Sequence, residues 1–135
     1  MRGYLLDTNV LSEIIKRRPE PRLLERLATV PARLLSTSAV CVAELRYGAA
    51  RHPHGAGLWE RIAREVLARV PVLAFAEAEA MRAGDLLATL ESEGTPIGIE
   101  DVLIGATALQ GDLAIVTRNV RHFSRIPGLV VESWW

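Results

Sequence analysis

The 135-residue chain has a single cysteine and a single lysine, no long apolar run, and no excess of either charge. Each scarcity removes a class of protein. Cys41 alone cannot close an internal disulfide, and its setting, AVCVAEL, reads as a buried apolar thiol rather than a reactive one. A bilayer span needs about 18 or more consecutive apolar residues. Here the apolar half of the composition is scattered through segments of mixed polarity, so a soluble chain with no membrane partner is expected. Ahead of Asp7 only Tyr4, Leu5 and Leu6 form an apolar run, too short for a secretory signal core, and the cytoplasm is the expected compartment. Sixteen basic and sixteen acidic residues cancel, so global attraction gives no argument for a nucleic-acid partner and local placement must decide. Fifteen of the sixteen basic residues are arginine, which suits bidentate phosphate contacts but also a general preference for arginine or for ion pairs.

Several chemical signatures are missing too. There is no Walker A sequence, no GxGxxG after the first strand and no GxSxG, which argues against nucleotide, dinucleotide and serine-hydrolase readings. Zinc candidates reduce to Cys41, His52, His54 and His122, and the His52-Pro53-His54 pair sits in an expected loop with no third ligand. DTNVL lacks a second aspartate two residues after Asp7, which disfavours an aspartyl-phosphate phosphatase.

What is present is an alternation of short apolar runs with longer amphipathic ones. A chain of this length forms one domain, residues 1–135, burying roughly 65–70% of its unfolded surface. Strands are expected at 3–6, 34–37, 113–117 and in GLVVES. Helices are expected at 8–16, 21–29, 38–50 with Ser38 as N-cap, 57–68, 76–92 and 99–110, and RNVRHF forms a turn or short helix. HPHGAG reads as a loop, and VPVLAF as a short apolar run between helices. Strands of four or five residues separated by helices cannot pair as hairpins, so the expected class is α/β, a three-layer α/β/α domain around a mostly parallel sheet.

In such sheets ligands collect beyond the carboxyl ends of the strands, so polar residues just after apolar runs are the candidates. Asp7 follows YLL directly, with Thr8 and Asn9 beside it, and reads equally as a helix cap or as a ligand. Glu44 lies among small and apolar residues, where a carboxylate needs an arginine such as Arg46 or Arg51, a raised pKa, or a metal. Asp101, with Glu100, opens the helix EDVLIGATAL, where the helix dipole also favours negative charge. Gly105, Ala106 and Ala108 allow that helix a close approach to its neighbour. LAIVT delivers Thr117, Arg118 and Asn119 at a further strand exit. Oxygen donors drawn from several exits resemble a site for a hard cation, Mg²⁺ or Mn²⁺.

LLDTNVLSEI, VAELRYGA, GIEDVLIGATAL and LAIVTRNVRHF resemble, in order and spacing, the four signature blocks of PIN-domain proteins, especially VapC-like toxins of toxin–antitoxin pairs. The resemblance runs from Tyr4 to the end of the chain. It implies an acidic pocket of Asp7, Glu44 and Asp101 binding Mg²⁺ or Mn²⁺. The fourth position of such pockets, often acidic, falls on Asn119, and His122 stands where some relatives carry aspartate. The implied activity is endoribonuclease cleavage of RNA phosphodiester bonds by metal-activated water. Asp7 and Asp101 would bind metal, and Glu44 would bind a second ion or position the water. Thr8 and Thr117 would support them, and Arg118 would contact phosphate. A small cognate antitoxin and a homodimer are implied as partners, and Trp134 and Trp135 offer either interface material or packing onto their own domain. Asn119 and His122 also suit an alternative, a catalytically weak module that binds RNA or protein.

Overall fold

The computed structural model describes residues 2–135. Strands β1 (Tyr4–Leu6), β2 (Leu35–Ser38), β3 (Val72–Leu73), β4 (Ala114–Val116) and β5 (Val131–Glu132) form one sheet in the order β3-β2-β1-β4-β5. Every pairing in it is parallel. Parallel neighbours need crossover connections, and these are supplied by α1 (Thr8–Ile14), α2 (Pro21–Thr29), α3 (Ala39–Arg51), α4 (Gly55–Ile62), α5 (Glu77–Ser92), α6 (Ile99–Gln110) and α7 (Val120–Phe123). The result is the expected three-layer α/β/α arrangement. Helices on both faces explain why the central strands are apolar at successive positions rather than alternating: Leu5, Leu6, Ala114, Ile115 and Val116 are all fully buried.

The winding positions the site. From β1 the chain builds outward through β2 and β3, then crosses back to add β4 and β5 on the other side. The reversal therefore falls between β1 and β4, paired from Tyr4 opposite Ala114 to Leu6 opposite Val116. Just past that register the backbone N–H of Asp7 donates to the Val116 carbonyl at 2.9 Å, so the two exits are clamped together where open parallel sheets form their ligand crevice.

The small residues of α6 do what their size suggested. Gly105, Ala106 and Ala108 are buried, and a Cβ built on Gly105 would lie 2.4 Å from Ile126 Cδ1. Three expectations are corrected. HPHGAG is not all loop, because α4 begins at Gly55, two residues earlier than expected. A Cβ on Gly55 would meet the Ala49 carbonyl oxygen at 2.0 Å, so this glycine marks a close approach of α4 to the end of α3. The second half of the expected 57–68 helix is a π-type segment, Ala63–Leu67, closed by the Ala68 N–H donating to the Ala63 carbonyl at 2.9 Å. Finally, VPVLAF contains β3, one of the two edge strands, which lies parallel to β2 with Thr37 opposite Val72.

Candidate active site

Asp7 is both a helix cap and the floor of a pocket. Its Oδ1 accepts from the backbone N–H of Thr8 at 2.8 Å, which caps α1. Its Oδ2 accepts from the Thr117 hydroxyl at 2.8 Å, reaching across from the exit of β4. Only 4% of the residue is exposed. Burial pushes its carboxyl up from the ordinary 3.8 to about 6; the two hydrogen bonds work against that rise, and the nearby carboxylates of Asp101 and Glu44 add to it.

Glu44 arrives from α3, whose start is fixed by the Ser38 hydroxyl accepting from the Cys41 N–H at 3.0 Å, as expected of this N-cap. One Glu44 oxygen accepts from the Thr8 hydroxyl at 2.5 Å. The arginines offered as its alternative partners are turned elsewhere. The Arg46 guanidinium lies 4.9 Å over the Trp59 ring, and that of Arg51 lies 5.0 Å over Tyr47 while donating to its hydroxyl. Glu44 therefore lies within 4.8 Å of Asp7 with a hydroxyl, not an arginine, as its hydrogen-bond partner.

Asp101, in the first turn of α6, lines the same pocket. Its Oδ2 accepts from Asn119 Nδ2 at 3.4 Å and lies 3.2 Å from His122 Nδ1. Asn119 and His122, which stand where the resemblance implies acids, thus converge on one carboxylate. Thr117 ties these parts together, since its hydroxyl also accepts from the Asn119 backbone N–H at 2.8 Å. Asn9 Oδ1 accepts from the Arg118 backbone N–H at 3.2 Å, fixing the turn that carries Arg118.

The crevice has a volume of about 520 Å³, and all seven residues expected at the site belong to it or brace it. Asp7, Glu44, Asp101, Thr8, Arg118 and Asn119 line it, and Thr117 stands behind Asp7. Ligand atoms of Asp7, Glu44 and Cys41 lie within 4.8 Å of one another, a tighter group that does not include Asp101. Burial pushes the Cys41 thiol up, so the sulfur at this spot is a neutral wall rather than a thiolate. The remaining donors are oxygens, the set a hard divalent cation takes, and two carboxylates facing each other without an intervening arginine suit such an ion.

Four lining residues were not anticipated: Ser12, Glu13, Lys16 and Trp135. With Asn9, the first three follow the i, i+3, i+4, i+7 spacing of one helical face, a signal visible in the sequence. Cys41 likewise stands three residues before Glu44 on the same face of α3. Trp135 enters by tertiary placement alone. Its neighbour Trp134 packs onto its own domain, 6% exposed, edge-on to Tyr4 at 5.1 Å and donating its indole N–H to Glu132 at 3.0 Å.

Comparisons with known proteins agree with this geometry. The PIN domain family model matches residues 4–129. The chain is 34% identical to Ribonuclease VapC2 of Haemophilus influenzae, with 99% of each chain covered. It is equally similar, 34% with 99% of each covered, to the tRNA(fMet)-specific endonuclease VapC of Salmonella typhimurium. Among solved structures, the DNA-bound VapBC complex from Salmonella typhimurium superposes with a TM-score of 0.90 at 32% identity, over 100% of both chains. With the four sequence blocks, the parallel sheet and the acidic crevice at its reversal point all in place, the chain belongs to the PIN-domain family, among its VapC-like members.

Proposed function

We propose that this chain is a VapC-type endoribonuclease that depends on a divalent cation, Mg²⁺ with Mn²⁺ as substitute, held by Asp7, Glu44 and Asp101. The observation that carries the proposal is the convergence of three carboxylates from β1's exit, α3 and α6 on one crevice, with Asp7 buried deeply enough to hold its carboxyl near 6. When bound, a divalent cation supplies charge to the phosphate oxygens and makes water a better nucleophile.

The protein's own groups orient the rest. Asp7 is fixed by Thr8 and Thr117, so its free lone pairs keep one direction. Glu44, braced by the Thr8 hydroxyl, positions the attacking water and accepts its proton, or holds a second ion. Asn119 and His122 hold Asp101 and stand in place of the fourth acid. Arg118 commits Nη1 to Ser133 and Trp135, which leaves Nε and Nη2 to donate to a substrate phosphate.

The Salmonella relative is named for tRNA(fMet), which makes transfer RNA the first substrate to try. A small cognate antitoxin is the expected partner, since relatives are solved as VapBC complexes. The protein acts in the cytoplasm as a single PIN-like unit, residues 1–135, and pairs as a homodimer. Among the described residues no helix is long and apolar enough to cross a membrane. Incubation of purified protein with an RNA pool and Mg²⁺ tests the activity. Cleavage is expected to stop with EDTA and with Asp7→Asn, and cleavage surviving both overturns the proposal. RNA binding with no metal uptake at millimolar Mg²⁺ would instead favour the binding module.

A further inference from the structure

Trp134 and Trp135 are adjacent but have separate surroundings. Trp134 is spent on packing, whereas Trp135 is half-buried and forms part of the crevice wall beside Asp7, Glu44 and Asp101. Every other residue lining that crevice is polar or charged, so Trp135 is its one aromatic surface among the described residues. Its position follows from the sheet. β5 pairs with β4 through Val116 opposite Glu132, and the chain after Glu132 runs on past the β4 exit, where Arg118 lies.

Contacts with Arg118 and Ser133 fix the residue. The Arg118 guanidinium lies 5.1 Å over the indole ring and its Nη1 donates to the Trp135 main-chain oxygen. The Ser133 hydroxyl donates to the same oxygen at 2.8 Å. Unpaired bases stack on aromatic rings and guanidinium planes, and Trp135 offers such a ring, backed by Arg118, at the edge of this crevice. The acids repel phosphate, and stacking supplies affinity that does not depend on charge. At about 520 Å³ the crevice falls within the roughly 300–1,000 Å³ typical of small-ligand pockets, enough for a nucleotide.

Resting on the ribonuclease reading, we propose that Trp135 is a stacking platform for an unpaired nucleobase of the RNA substrate next to the scissile phosphate. Its role is to position the strand, not to take part in the chemistry. The test measures binding of a labelled single-stranded RNA dodecamer of mixed sequence by fluorescence anisotropy. Ca²⁺ replaces Mg²⁺ so that RNA is bound without being cut, and a matched dodecamer carries abasic riboses at its central positions.

Trp135→Ala is expected to weaken binding of the base-bearing RNA by roughly tenfold or more, and Trp135→Phe to restore most of it. Both variants and the wild type are expected to bind the abasic RNA alike. An equal loss on both RNAs would show that Trp135 serves only to hold Arg118, and unaltered binding by Trp135→Ala would show that no base rests there. Either result overturns the proposal while leaving the nuclease reading intact. Failure of the wild type to bind RNA at all would bring down both.

Discussion

Asp7 carries conflicting demands. It caps α1, takes a hydroxyl from Thr117 and sits against two other carboxylates in a place water barely reaches. Because its folded value of about 6 lies above the ordinary 3.8, the folded state holds the proton more tightly across that window. Stability of the metal-free protein therefore falls as pH rises from about 4 to about 6 and is level above, with a cost of at most about 3 kcal/mol at neutral pH. Asp7→Asn removes the charge and keeps an oxygen for the cap. Chemical denaturation in EDTA is expected to show the variant more stable than wild type by about 1–3 kcal/mol at pH 7, with the gain shrinking toward pH 4. Thr117→Val tests the brace. Without its hydroxyl, Asp7 loses one fixed partner and the Asn119 N–H loses its acceptor, so RNA cleavage is expected to fall by roughly 10- to 100-fold while the sheet persists. Cleavage at the wild-type rate would show that the orientation of Asp7 is set elsewhere.

The β1 exit was legible because YLL is followed at once by Asp7, and α6 because Gly105, Ala106 and Ala108 share its buried side. Glu44 was legible as a carboxylate in need of a partner, but the direction of Arg46 and Arg51 was not. Both stack on aromatic rings: Arg51 on Tyr47, one turn earlier in α3, and Arg46 on Trp59 of the neighbouring α4, and neither choice over Glu44 follows from spacing alone. The start of α4 was obscured by Pro53, Gly55 and Gly57, three breakers within five residues that resemble a loop. Only the approach to Ala49 distinguishes the glycines. Gly55→Ala, facing a carbonyl at 2.0 Å, is expected to destabilise by about 1–3 kcal/mol or more. Gly57→Ala has nothing within 4 Å and is expected to stabilise by roughly 0.5–1 kcal/mol. Thermal unfolding of the two variants checks the pair, and equal effects would contradict the packing described for α4.

For the whole molecule, the site is a product of winding order. Asp7, Glu44 and Asp101 are far apart in sequence, and they meet because β1 lies at the centre of the sheet and its neighbours are added on opposite sides. Periodicity could suggest a parallel sheet, but not that β4 rather than β3 lies beside β1. The four ordered blocks bridged that gap by resemblance. Neither the pairing of His122 and Asn119 on Asp101 nor the arrival of Trp135 was visible, because both depend on how α7 and the segment after β5 settle around the crevice. Uptake of Mn²⁺, followed by the loss of its free-ion EPR signal during titration of the purified protein, tests the convergence of the acids most directly. The expected result is saturable binding that disappears in Asp7→Asn and weakens in Glu44→Gln and Asp101→Asn. Uptake that is the same in Asp7→Asn as in wild type, or none at millimolar Mn²⁺, would contradict it.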